Sequence, residues 1–168
     1  MSIAVCPGSF DPMTLGHVDV VRRARSMFDQ VVVAVAHNSS KRTLLPPAER
    51  VRLAADALAG MDGVRVVTTD GLLVDLVRDL GACAVVKGLR SGADLDAELA
   101  MALMNRHLSG VETVFVVGDP GLAHIASSLV KDVARHGGRI DDMVTPAVAA
   151  AVLDALAPTA GGGGEDGR

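Results

Sequence analysis

The chain has 168 residues, the size of one ordinary domain, and its 49% hydrophobic and 21% charged residues exclude bulk disorder. With three Phe, no Trp and no Tyr, the core must be built from Val, Leu, Ile, Ala and Met. A net charge of −4, and no basic run interleaved with aromatics, argue against nucleic acid as a partner; no apolar stretch reaches the ~20 residues of a membrane helix, and no basic lead with a long apolar segment marks a secretory leader, so a cytoplasmic protein with no membrane partner is expected.

Apolar, β-branched runs alternate with helical patterns. Ile3-Ala4-Val5-Cys6 is the first run, followed by the turn Pro7 to His17. Val18, Val21, Ala24, Arg25 and Phe28 then form an apolar helical stripe with a basic edge. Val31 to Ala36 is the second run. Pro46-Pro47 opens the next helix, where proline is tolerated because that N–H has no helical partner, and Val51, Leu53, Ala54, Ala57 and Leu58 continue it. Val64 to Val67 is the third run, and Leu72 to Leu80 a helix stopped by Gly81. Ala82 to Val86 and Thr113 to Val117 are the fourth and fifth runs.

Short, nearly continuous apolar runs read as strands buried on both faces. The pattern predicts an α/β fold, a doubly wound, mainly parallel five-stranded sheet, in a single domain over residues 1–158. The Gly-rich tail 159–168 is expected to be disordered.

The helix predicted over 93–108 is unusual. Leu95, Leu99, Ala102 and Leu103 form one apolar stripe, and Met101, Met104 and Leu108 a second on roughly the opposite side. A helix on the surface of a monomer needs only one. Either this helix is sandwiched inside its own domain, or it packs on its sheet with the first stripe and on another subunit with the second. Cys6 and Cys83, both in apolar, strand-like surroundings, are expected to be buried thiols, and to stay free because an offset of about four strand residues, ~13 Å, exceeds disulfide reach.

In an open parallel sheet, ligands bind beyond the carboxyl ends of the strands. That rule selects the turn 7–17, the segment His37 to Arg42, the segment Lys87-Gly88-Leu89-Arg90, and Gly118 to Gly121 leading to Ser127-Ser128-Leu129-Val130-Lys131. Lys41, Lys87 and Arg90 converge on one edge in this topology, as a phosphate-rich ligand requires. Taken singly, Gly8 and Gly16 suit simple turns, Ser127 and Ser128 suit a helix start, and His17 suits a solvated cap. Neither Gly-x-Gly-x-x-Gly after the first run nor Gly-x-x-x-x-Gly-Lys occurs, which disfavours dinucleotide redox chemistry and a P-loop.

Pro7-Gly8-Ser9-Phe10-Asp11-Pro12 with Thr14-Leu15-Gly16-His17 resembles the signature of the nucleotidyltransferase superfamily. Lys87 to Arg90, Glu98, Met104 to Leu108 and Ser127 to Lys131 narrow the resemblance to the bacterial phosphopantetheine adenylyltransferase family, over about residues 2–157. The resemblance implies a Rossmann-like nucleotidyltransferase fold and reversible adenylyl transfer from ATP to 4′-phosphopantetheine, giving dephospho-coenzyme A and pyrophosphate in coenzyme A biosynthesis. It also implies Mg²⁺ with ATP, a homohexamer, and coenzyme A as a candidate feedback inhibitor.

By position, it implies ATP contacts at Ser9, Phe10, His17, Gly88, Leu89, Arg90 and Glu98, and at Leu122, Ala123, His124, Ile125, Ala126, Ser127 and Ser128. It implies acceptor contacts at Ser9, Lys41, Leu73 and Lys87. His17 is the expected catalytic residue, a hydrogen-bond donor to the α-phosphate, and no protein metal ligand is expected. Two stretches depart from the family pattern: Leu122 to Ser128 and Leu95 to Glu98 lack the aromatic residues common there. The rival readings are a sister enzyme using nicotinate mononucleotide or glycerol phosphate, and a non-catalytic nucleotide sensor.

Overall fold

A computed structural model describes residues 1–37 and 42–157. Five strands, β1 (Ile3–Gly8), β2 (Gln30–Ala36), β3 (Val64–Thr69), β4 (Ala84–Leu89) and β5 (Glu112–Val117), form one sheet in the order β3-β2-β1-β4-β5. Every neighbouring pair is parallel, and β1 runs level with β2 from Ile3↔Gln30 to Gly8↔Val35. The helices are α1 (Leu15–Met27), α2 (Pro47–Ala57), α3 (Leu73–Asp79), α4 (Gly92–Ser109), α5 (Ser127–Arg135) and α6 (Pro146–Leu156). The chain order reverses between β1 and β4, so the crevice beyond their carboxyl ends is the expected ligand position.

Alternation along the strands sorts the core into layers. Ala4, Cys6, Val31, Val33, Val35 and Val86 face α1 and α2. Val5, Val32, Ala34 and Val85 face the other way and pack with Val74 and Val77 of α3. A third cluster joins Leu45, Leu53 and Ile125 to Val130 of α5 and Val148 and Val152 of α6.

Several expectations are corrected. The fourth strand covers 84–89 rather than 82–86: Lys87, Gly88 and Leu89 pair with Phe115, Val116 and Val117 and are strand residues, not a loop. Ala82 instead closes the end of α3, its N–H reaching the Val77 carbonyl past Gly81 at φ +60°. Cys83 is exposed, not buried. Because Ala84 is level with Ala4, Cys6 is three residues from the level of Cys83 rather than four, still ~10 Å of strand rise, and both thiols are free.

Over 146–156, where the sequence pattern predicts no element, Pro146 opens α6 and its Val148–Val152 side fills the third cluster.

The largest correction concerns α4. The line of α4 turned toward the domain is Asp94, Glu98, Ala102 and Asn105, with Asn105 alone buried. Leu95, Leu99 and Leu103 of the first stripe are exposed, as are Met101, Met104 and Leu108 of the second. The stripe expected to pack on the sheet contributes only Ala102. Polar partners at the end of β4, described next, turn the helix this way. The predicted tail 159–168 lies outside the described residues.

Candidate active site

The site grows from the end of β1. Gly8 is required because a Cβ there would lie 2.9 Å from the Phe10 ring. The ring folds back over Gly8 and holds Phe10 at φ +46°, a left-handed conformation that a bulky residue adopts only under constraint. Phe10 is buried, and its ring meets the His17 imidazole edge-on with centroids 5.1 Å apart.

Thr14 then caps α1 in a reciprocal box. The His17 N–H donates to Thr14 Oγ1 at 3.4 Å, and the Thr14 N–H donates to His17 Nδ1 at 3.0 Å. Nδ1 is therefore the acceptor, and the neutral ring carries its proton on Nε2. Burial, helped by the Arg90 and Lys87 charges, pushes the His17 pKa down to about 4. At neutral pH the residue is an uncharged Nε2 donor in a fixed orientation.

Close approach of β4 and α1 places the cations. A Cβ on Gly88 would lie 2.4 Å from Val20, so only glycine lets α1 pack this near to β4. Lys87 leans on Glu98 at 3.0 Å. Arg90 grips Asp94 through Nε and Nη2, both at 3.1 Å, while its Nη1 donates to the Ile125 carbonyl. Hydrogen bonding to Arg90 outweighs burial and holds the Asp94 carboxyl below the usual range. The two acids stand one turn apart on α4, which explains its polar inner face.

The opposite wall is α5. Its N-cap is Ala126, so no side chain caps the first turn, and the Ser127 hydroxyl donates instead to the Pro12 carbonyl at 2.8 Å. An uncapped helix start is suited to phosphate oxygens. Asp11 is buried and accepts from Lys131 Nζ at 2.8 Å and from the Leu44 and Leu45 N–H groups, each at 2.9 Å. Burial pushes the Asp11 carboxyl up, but these donors outweigh it and hold it below the usual range. Beneath the turn, the buried Arg50 donates to the carbonyls of Ser9, Ala36 and Leu45. Asp19 of α1 accepts the Asp119 N–H at 2.9 Å, fixing the loop after β5.

Together these walls enclose a cleft of about 830 Å³. Of the residues predicted from sequence, Ser9, Phe10, His17, Leu73, Lys87, Gly88, Leu89, Arg90, Glu98, Leu122, Ile125, Ala126, Ser127 and Ser128 line it. The Ile125 side chain belongs to the third core cluster, and its carbonyl serves Arg90. Ala123 and His124 lie in the neighbouring turn, outside the lining. Lys41 falls outside the described residues. Asp11, Arg42, Asp94 and Lys131 also line the cleft. Reading the sequence assigned them no role, although Lys131 stands four residues after Ser127 and so shares its helix face.

A family model described as cytidylyltransferase-like matches residues 5–133. The parallel sheet and the cation-lined cleft at its switch point are accordingly those of a nucleotidyltransferase. The phosphopantetheine adenylyltransferase of Bifidobacterium longum is 51% identical over 159 residues, covering 94% of this chain and 96% of that protein. The enzyme of the same name from Bifidobacterium animalis subsp. lactis is 54% identical over 146 residues, covering 86% and 92%. This chain belongs to the phosphopantetheine adenylyltransferase family. A solved structure from Vibrio parahaemolyticus, titled as a nicotinate-nucleotide adenylyltransferase, superposes with a TM-score of 0.67 over 93% of this chain and 95% of that one; at 20% identity it shares the fold.

Proposed function

We propose that the protein reversibly transfers the adenylyl group of ATP to 4′-phosphopantetheine, giving dephospho-coenzyme A and pyrophosphate, as a step of coenzyme A biosynthesis in the cytoplasm. The observation that carries this reading is the meeting, in one cleft, of the neutral His17 donor, the Lys87 and Arg90 cations and the uncapped start of α5. Relatives above 50% identity support this acceptor over those of the sister enzymes.

The acceptor phosphate is already a nucleophile, so one of its oxygens attacks the α-phosphorus directly. The bond from that phosphorus to the pyrophosphate oxygen breaks in line. No proton need be abstracted, and catalysis is positioning with charge stabilisation. His17 Nε2 donates to an α-phosphate oxygen. Lys87 exchanges Glu98 for the acceptor phosphate, with Ser9, Leu73 and Lys41 completing that side. Arg90 and the N–H groups at Ser127 and Ser128 receive the departing pyrophosphate.

Of the carboxylates lining the cleft, Asp11, Asp94 and Glu98 already face Lys131, Arg90 and Lys87. A Mg²⁺ ion fits here as the companion of ATP, held by phosphate oxygens and water, and its charge would lower the repulsion between the two substrates' phosphates.

The exposed apolar surface of α4 is the natural contact for further copies of the chain, and the family resemblance supports a homohexamer. Coenzyme A, sharing the pantetheine arm and the adenine nucleotide, is the proposed feedback inhibitor.

The decisive experiment incubates the protein with ATP and Mg²⁺ and measures pyrophosphate with each acceptor separately. Release with 4′-phosphopantetheine alone is expected. Release only with nicotinate mononucleotide or glycerol phosphate would overturn the acceptor, and ATP binding without release would favour a sensor.

A further inference from the structure

Asp11 and Lys131 take no direct part in the transfer just described, yet both border its cleft. The Asp11 carboxylate is buried with both oxygens occupied: Oδ1 accepts the Leu45 N–H, and Oδ2 accepts the Leu44 N–H and the Lys131 ammonium. Three segments distant in sequence end on this one group. The first is the turn carrying Ser9 and Phe10. The second is the stretch running back from Leu45 to Arg42, which borders the cleft. The third is α5.

The fastening of α5 is specific. Ser127 and Lys131 are one helical turn apart and share a face. Ser127 donates to the Pro12 carbonyl at 2.8 Å and Lys131 to Asp11 at 2.8 Å. Two adjacent residues of the turn thus hold two adjacent turns of α5, fixing both the position and the direction of its uncapped N-terminus. Apolar packing through Val130 and Ala134 holds the other side of the helix against the third core cluster. Moreover, a partly buried ion pair, its Lys131 and Asp11 side chains 19% and 5% exposed, is by itself weak evidence of a stabilising role. Its position at the edge of a phosphate cleft is better explained by alignment: Asp11 neutralises Lys131 there and keeps a loose ammonium from capturing phosphate out of register.

We infer that the Asp11–Lys131 pair is a positioning device, which sets the start of α5 against the turn so that the leaving pyrophosphate is received in line with attack. The inference rests on the activity proposed above and adds to it two residues that touch neither substrate.

Lys131→Met is the primary test, because it leaves Asp11 its two backbone donors and the apolar packing of α5 intact. It is expected to lower kcat ~10–100-fold and weaken ATP binding by calorimetry ~10-fold, with the 4′-phosphopantetheine KM changed less than two-fold. A merely structural pair would lower the melting temperature and leave these parameters alone. Lys131→Arg, whose guanidinium reaches the same carboxylate, should recover most of the ATP affinity and kcat. Asp11→Asn should impair both substrates, since it also loosens the Leu44–Leu45 anchor. Unchanged ATP affinity and kcat in Lys131→Met overturn the inference, as does Lys131→Arg remaining as impaired as Lys131→Met. A wild-type protein inactive with 4′-phosphopantetheine would overturn the activity instead, and the ATP calorimetry would still decide the role of the pair.

Discussion

The two helices that wall the cleft, α4 and α5, are built inside out with respect to each other. α5 buries Val130 and Ala134 in the third core cluster and turns its polar residues to the cleft and to solvent. α4 turns Asp94, Glu98 and Asn105 inward and leaves Leu99, Met101, Leu103 and Met104 between 44% and 58% exposed. An α5-type wall is complete in one chain. An α4-type wall spends its inner face on holding Lys87 and Arg90 and leaves its apolar surface exposed. A functional demand on one face has displaced the usual burial onto the other.

That contrast can be broken, and the largest effect should come from the outer face of α4. Leu99→Glu combined with Leu103→Glu should reduce the proposed assembly toward single chains by light scattering while preserving far-ultraviolet dichroism. An unchanged mass would sink the proposal that a second copy covers this surface. In the first turn of α1, His17→Ala should lower kcat ~10²–10³-fold, as loss of one preorganised donor to developing charge does. Saturated turnover at the wild-type rate would remove His17 from its role.

Val130→Ala should cost about 2 kcal/mol of stability in urea unfolding, from lost methyl burial plus a residual cavity. A loss below about 0.5 kcal/mol would mean that α5 is not held by its own core.

The smallest and most local effect is protonation. The His17 ring should stay neutral as the pH is lowered from 8 to 5, with the Nε2–H tautomer visible in nitrogen NMR. Unfolded histidine takes its proton near 6.5, whereas the folded ring does so only near 4. The folded state therefore has its full histidine contribution above about pH 6.5 and loses it progressively as pH falls toward 4. A His17 midpoint near 6.5 would contradict the buried capping-box geometry.

Much of this was legible in the sequence, for physical reasons that also mark its limit. Val31 to Val35 could be read as a strand because a strand buried on both faces tolerates little but apolar residues. Gly81 could be read as a stop because the left-handed region favours glycine. The end of β4 was misplaced because Lys87 and Gly88 look like loop residues. Their strand pairing depends on β5, and the need for Gly88 depends on Val20 across the sheet.

The inner face of α4 was misjudged on similar grounds. Hydrophobic periodicity ranks faces by apolarity, but here ion pairs with β4 and Arg90 decided the orientation. Asp11 escaped notice because its partners lie 33, 34 and 120 residues away. The motif displayed the residue, and only the fold displayed its bonds.

Arg50 has one further consequence. The residue is 1% exposed, and its guanidinium donates to the carbonyls of Ser9, Ala36 and Leu45. Among the described residues no carboxylate ion-pairs with it. Beneath the turn that carries Ser9 there is therefore a buried positive charge with no ion-pair partner among the described residues. In a protein of net charge −4, that charge would make the potential beneath the turn locally more positive. A polyanion repelled by the molecule at long range would be drawn in over the last few ångströms, before any hydrogen bond to Ser9 or His17 has formed.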